Sequence, residues 1–271
     1  MQSATYKARA QEDHPRTTIC GIRFSCFDRG RAAQWLLSAA KEGTGGYVCV
    51  TGAHGVVSAQ DDLGFREILN TASMNTLDGQ PVVWIARWRG HSVERVTGRE
   101  LVRDVVAQDG NAQIRHVLFG ATPRVTDKMI QHLRTMNSNV HVDVYNPPFC
   151  VLGDEELDGI CQQLRSAEPT IIWVGLSTPK QERLAVRLSK RFSKVPVVAI
   201  GAGFDFIAGL SPSAPHFITA LGLEWLFRLV YDPRRLFKRY ANVVPRFLLL
   251  IAREIGAGKL LDDAPVMRKH N

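Results

Sequence analysis

Several groups of residues in this 271-residue chain have types and spacings that could do chemistry. Asp78 sits in a turn-prone Asp-Gly pair behind a short apolar stretch. A carboxylate there could take a proton from a hydroxyl, or simply close a turn with Gly79. Thr51 and His54 follow the run Tyr47-Val-Cys-Val-Thr51, where a substrate hydroxyl could be held, although a lone histidine serves equally well as a structural donor. Lys180, Gln181 and Glu182 open a predicted helix with Thr178 as its N-cap, Pro179 at the first helical position and Gln181 placed for a capping box. Helix starts of this kind offer free amide hydrogens to phosphate oxygens. Gly201 and Gly203 allow close backbone approach, and Asp205 after them could hold a hydroxyl or cap the following turn; a lone Gly-x-Gly is weak evidence for phosphate binding. Arginines recur at 228, 235, 239, 246 and 253, and guanidinium forks bind phosphate bidentately at any working pH.

The elements that must position these residues are legible as an alternation. Short β-branched runs at Tyr47–Thr51, His116–Phe119, Val140–Tyr145, Thr170–Val174 and Val195–Ile200 are separated by helical patterns. That alternation predicts an α/β fold, Rossmann-like, with a largely parallel sheet flanked by helices. Three runs close on glycine, at Gly120, Gly175 and Gly201, and in such sheets ligands collect at the carboxyl ends of strands. Tyr145-Asn146-Pro-Pro148 follows another run, where two prolines would stiffen either a pocket wall or a plain connector. After Pro215 the pattern becomes helical. One segment starts at Gly222 and breaks at Asp232-Pro233, and a second runs from about Arg234 to Ile255 across Pro245. At 100° per residue Leu236, Tyr240, Val243, Phe247 and Ile251 share one face, edged by Arg235, Arg239, Arg246 and Arg253. The expected organisation is a loose tail over 1–18, a catalytic α/β domain over 19–221 and a basic, amphipathic helical C-terminal appendage over 222–271.

Charge and composition narrow the partners. The net charge of +8 and pI near 9.5 call for a polyanion, and ten Lys or Arg against five acids place a net +5 between Gly222 and the end. Basic residues beside Trp225, Phe227, Phe237, Tyr240 and Phe247 suit an anionic membrane surface. Nucleic acid is the competing polyanion, but no nucleic-acid motif is present and the arginines border an apolar face. A nicotinamide-dependent dehydrogenase is disfavoured by the lack of Gly-x-Gly-x-x-Gly at a strand-helix turn. No run reaches the ~18 apolar residues of a spanning helix, and the polar start does not read as a secretion signal. Five cysteines without a Cys-x-x-Cys pair look like core residues of a cytoplasmic protein. No Asp-x-Asp signature or convincing ligand spacing marks a metal site, so no cofactor is expected. The sequence fixes no oligomeric state.

Set in order, Thr51-Gly-Ala-His54, Leu77-Asp-Gly-Gln-Pro-Val-Val-Trp84, Arg95-Val-Thr-Gly98, Tyr145-Asn-Pro-Pro148, Val174 to Glu182, Gly201-Ala-Gly-Phe-Asp205 and Glu224-Trp-Leu-Phe-Arg228 resemble the WecG/TagA/CpsF family, glycosyltransferase family 26. The resemblance covers roughly Cys20 to Phe247. It implies inverting transfer from a UDP-sugar to an undecaprenyl-diphosphate-linked saccharide in the making of bacterial surface polymers, by a protein held peripherally at the inner face of the cytoplasmic membrane. It assigns the base to Asp78 and turns Lys180, Gln181 and Glu182 toward the nucleotide-sugar, beyond Gly175. His54, Arg95, Tyr145 and Asn146 fall on the acceptor side or pocket wall, and Thr51 beside the reacting centre. The family's appendage is implicated in membrane association and in supplying arginines, here Arg228, Arg235 and Arg239. Many members carry asparagine in the loop where this chain has Gly52, Ala53 and Gly55, which bears on the sugar.

Overall fold

The computed structural model describes residues 14–147, 152–164 and 169–257. In chain order the elements are β1 (Arg16–Ile19), β2 (Ile22–Ser25), α1 (Arg29–Glu42), β3 (Tyr47–Thr51), α2 (Ala53–Asp61), α3 (Leu63–Thr71), β4 (Met74–Leu77), α4 (Gln80–Trp88), α5 (Gly98–Gln108), β5 (Arg115–Gly120), α6 (Pro123–Met136), β6 (His141–Tyr145), α7 (Asp154–Leu164), β7 (Thr170–Gly175), α8 (Lys180–Arg191), β8 (Val197–Ala199), α9 (Gly203–Ile207), α10 (His216–Ala220), α11 (Glu224–Tyr231) and α12 (Pro233–Gly256).

Six strands form one parallel sheet in the order β4-β3-β8-β7-β5-β6, and β1 and β2 form a separate antiparallel hairpin. Side chains alternate across the pleat. On β7, Ile171 and Trp173 enter the core beneath α1, α5 and α6, while Ile172 and Val174 enter the one beneath α7 and α8. Burial on both faces is why the predicted strands read as continuous apolar runs rather than alternating ones. Helix starts are fixed locally: the Asp28 side chain caps α1, Asp62 caps α3, and Thr97 with Glu100 forms a full capping box on α5.

The α/β expectation and its five parallel strands hold. Three strands escaped the sequence reading. Arg16–Ile19 forms β1, so part of the stretch read as a tail over 1–18 belongs to the fold; residues 1–13 lie outside the described residues. The hairpin turns through Cys20 and Gly21, both at positive φ, as a two-residue primed turn requires. Strand β4 is short and polar in its middle, Asn75 and Thr76, so its pattern does not read as a strand in the sequence. The Thr178 cap is also corrected. Helix α8 starts at Lys180 with Pro179 in the cap position, and the Thr178 hydroxyl donates to Glu182 Oε1 at 2.9 Å instead of capping a backbone amide.

The predicted amphipathic face of α12 is real: Leu236, Val243 and Phe247 are buried, and the helix packs on α2. Its far end is locked by Glu254. That carboxylate accepts the Cys20 backbone N–H at 3.1 and 3.0 Å and pairs with Arg89 at 3.2 Å, where the Arg89 side chain is 1% exposed. Arg246 makes a two-pronged bond with Asp61, but both groups are open to water and the pair adds little. Removing one partner of a buried pair strands the other, so Glu254→Ala is expected to cost on the order of 3–5 kcal/mol of stability. Urea denaturation measures it, and a loss below about 1 kcal/mol would show that the pair does not hold α12.

Candidate active site

A cleft of about 810 Å³ opens at the carboxyl ends of the parallel strands. Its floor and walls come from the residues that leave each strand: His54 after β3, Asp78 after β4, Ala121 and Thr122 after β5, Gly175 to Thr178 after β7, and Gly201 to Asp205 after β8. The starts of α5, α6 and α8 also reach it, through Gly98, Thr122 and Gln181, so the positive ends of three helix dipoles share one cavity. Helices α11 and α12 close the remaining side with Glu224, Arg228, Leu236 and Arg239.

Asp78 is held by backbone. Strands β3 and β4 end level, with Thr51 opposite Leu77, and the Asp78 N–H donates to the Thr51 carbonyl at 2.9 Å. A Cβ on Gly52 would lie 2.2 Å from the Asp78 carbonyl oxygen, so only glycine lets the two chain ends run this close. Gly79 follows at φ +115°, a conformation that a side chain would strain, and this turns the chain into α4. The loop before α5 covers the outer edge of β4: Val96 N–H donates to the Leu77 carbonyl at 3.0 Å, and the Thr76 hydroxyl to the Val96 carbonyl at 2.9 Å. Thus Arg95 is carried alongside. Burial pushes the Asp78 carboxyl up to about 6; Arg228 opposes the rise, Glu224 adds to it, Arg95 opposes and Glu100 adds.

Charged groups on α11 and the Arg95 loop form a chain. Glu224 accepts hydrogen bonds from both Arg95 and Arg228, and Arg95 also pairs with Glu100 at 3.5 Å. The Arg228 guanidinium lies 4.5 Å from the centre of the Phe206 ring, which also has Arg99 at 5.7 Å. Arg99 hydrogen-bonds Ser213 as well. His54 is driven down to about 4 by burial and then by Arg239, so it is neutral at working pH and can accept or donate a hydrogen bond. A shallower groove between α2 and α12 leads off from His54 and Arg239.

The structure sorts the sequence candidates. Asp78, His54, Gly175, Gln181, Gly201, Gly203, Asp205, Arg228 and Arg239 line the cleft. Thr51 does not, because its side chain is buried against Gly55 and its contribution is the carbonyl that pins Asp78. Lys180 is exposed and off the cleft. Glu182 is buried beneath the cleft, where Oε1 accepts from Thr178 and Gln181 and burial raises its carboxyl. Arg95 acts through Glu224 rather than at the wall. Tyr145 packs at a tilt against Phe119, and the Asn146 amide donates to the Gly120 and Ala121 carbonyls at 3.2 Å, so both support the wall from behind. What they support is unusual: Ala121 sits at φ +62°, in the left-handed region that a non-glycine residue rarely enters. Pro148 and the Arg235 side chain lie outside the described residues. Sequence reasoning missed Arg99, Phe206 and the role of Glu224; Arg99 directly follows the Arg95–Gly98 motif, the one signal that could have found it.

Comparison with known proteins adds a second line of observation. The profile of the glycosyl transferase WecG/TagA/CpsF family matches residues 17–259. An N-acetylglucosaminyldiphosphoundecaprenol N-acetyl-beta-D-mannosaminyltransferase of Bacillus subtilis strain 168 is 24% identical over 198 residues, covering 73% of this chain and 75% of the relative. A protein of the same name from Bacillus spizizenii strain W23 is 21% identical over 207 residues, covering 73% and 78%.

The Asp78 environment predicts a stability effect of definite sign. Its ordinary value is 3.8 and folding raises it to about 6, so above pH 6 the ionised group opposes folding by roughly 1–3 kcal/mol. Below about 3.8 it is protonated in both states and the penalty vanishes. Asp78→Asn should therefore melt at a higher temperature than the parent at pH 8, with the gain disappearing near pH 4. An unchanged or lower melting temperature at pH 8 contradicts the burial of this charge.

Proposed function

Because the chain belongs to the WecG/TagA/CpsF family and is therefore a glycosyltransferase, we propose that it transfers a sugar from a UDP-sugar to a polyprenyl-diphosphate-linked saccharide with inversion at the anomeric carbon. The observation that carries this reading is Asp78: a buried carboxylate with its proton affinity raised toward neutrality, lining a cleft whose other walls present guanidinium groups and helix amides. A base with a value near the working pH is the one that can both be ionised and bind the proton it takes.

In this mechanism Asp78 accepts the proton of the acceptor hydroxyl as its oxygen attacks the anomeric carbon. The new carbon–oxygen bond forms on the face opposite the diphosphate, and the bond to the diphosphate breaks, releasing UDP. Inversion follows from that single displacement. The departing negative charge meets Arg228, Arg99 and Arg239 and the amide ends of α6 and α8. Guanidiniums supply the positive charge that a cation provides in other transferases, so this reading invokes no metal. Neutral His54, at the side of the cleft toward α12, suits a hydroxyl of the acceptor sugar.

The acceptor side is supported by the relatives' names and by the surface. No helix of the described residues is long and apolar enough to cross a membrane. Yet Phe217, Leu221, Leu226, Val230 and Phe237 are exposed along the C-terminal helices, and so are Trp84 and Trp88 on α4. Trp84 lies against Gly222, which joins the two sets. Arg234, Lys238 and Arg253 are exposed along the same helices. An apolar surface with tryptophan and basic residues fits the interface of an anionic bilayer, and we place the protein peripherally at the inner leaflet, where a lipid-linked acceptor would be reached.

Asp78→Asn is expected to fold normally and to lower turnover about 10²–10⁴-fold; near-parental transfer of radiolabelled sugar would remove Asp78 as the base. In the full chain, Trp88→Ser with Val230→Ser should release the protein from anionic vesicles in a flotation assay. Undiminished flotation would refute the membrane role of this face.

A further inference from the structure

Helix α11 brings more than an arginine to the cleft. Its first residue, Glu224, divides its carboxylate between two partners from different parts of the chain: Oε2 accepts from Arg95 and Oε1 from Arg228. An Arg–Glu pair four residues apart on one helix is commonplace. The second partner is not, because the Arg95 side chain is only 11% exposed and comes from the loop that covers β4. Arg95 is gripped at its other side by Glu100, the residue that closes the capping box of α5. Two arginines and two glutamates thus alternate beside Asp78, tying α5, the β4 edge loop and α11 together.

We propose that Glu224 is a positioning residue: it holds Arg95 away from the Asp78 carboxylate and aims Arg228 across the cleft, so that Asp78 stays a competent base rather than half of a salt bridge. The inference rests on the reading of Asp78 as that base. With Glu224 in place the four surrounding charges cancel. Without it one positive charge is left over, and Arg95 has only Glu100 and Asp78 to turn to. The other ionisable groups facing the cleft are His54 from α2, Arg99 from α5, Asp205 from α9, Tyr231 and Asp232 at the end of α11, and Arg239 and Tyr240 from α12. None of them is removed when Glu224 is replaced, so a shift in Asp78 traces to Glu224 and the two arginines it holds.

The test is a carboxyl-carbon NMR titration of Asp78 in the full chain, assigned by the signal lost in Asp78→Asn. Parent protein should show an inflection near pH 6. Glu224→Gln should lower it, weakening proton affinity at least threefold, and the acid limb of kcat/KM should move the same way. Arg228→Gln, which breaks the contact from the other side, should raise it, and Glu224→Asp should restore part of the parent value. A residue that merely fastened α11 would lower activity at every pH and leave the titration where it was. An unmoved or raised inflection in folded Glu224→Gln overturns the proposal; should that variant not fold, an unmoved or lowered inflection in Arg228→Gln does so. Full turnover in Asp78→Asn would sink the assignment of the base instead, since the titration is read without turnover.

Discussion

The carboxyl group of Asp78 is held partly out of water at the point where β3 and β4 end side by side, and the rest of the site is arranged around that constraint. Its backbone N–H is taken by Thr51, and its carbonyl lies so near Gly52 that no side chain fits between them. The carboxylate therefore has little freedom to withdraw, and its charge must be met where it stands. Burial favours the proton, the nearby guanidiniums oppose it, and the outcome lies between a surface aspartate and a permanently neutral one.

The C-terminal helices meet that charge and are themselves fastened at two levels. Helix α12 is bound by its apolar face and by Glu254 on buried Arg89, interactions that do not involve the cleft. Helix α11 is bound through the cleft, by Glu224 on Arg95 and by Arg228 over Phe206. The basic excess at this end of the chain is divided: Arg228 and Arg246 each have a carboxylate partner within the protein, while Arg234, Lys238 and Arg253 are exposed along the helices. Arg228 thus serves the cleft, and the exposed cations sit beside an apolar surface, a combination that suits a lipid interface better than a nucleic-acid backbone.

Much of this was legible in the sequence where local physics decides. Buried parallel strands must be apolar on both faces, so Thr170–Val174 announced itself, and the core face of α12 followed from helical periodicity. Glycines at 175, 201 and 203 line the cleft, where the chain leaves the strand ends. What escaped depends on partners far along the chain. Strands β1 and β4 are four residues long and at least half polar, and they are strands only because β2 pairs with the one, β3 with the other, and the core buries them. Thr51 and Glu182 have plausible chemistry and the right neighbourhood, but β3 and α8 turn them inward. Glu224 and Arg95 are 129 positions apart, and nothing in either local pattern says that they meet.

The site reading stands on one arrangement: a single cleft, lined by the Asp78 carboxylate and the Arg228 guanidinium, receives the nucleotide-sugar. A crystal structure with an unreactive UDP-sugar bound tests it most directly. The diphosphate is expected within hydrogen-bonding reach of Arg228 and the amide ends of α6 or α8, with the sugar's anomeric carbon facing Asp78. A nucleotide-sugar bound outside this cleft, or inside it with its diphosphate on the Asp78 side, would contradict the account.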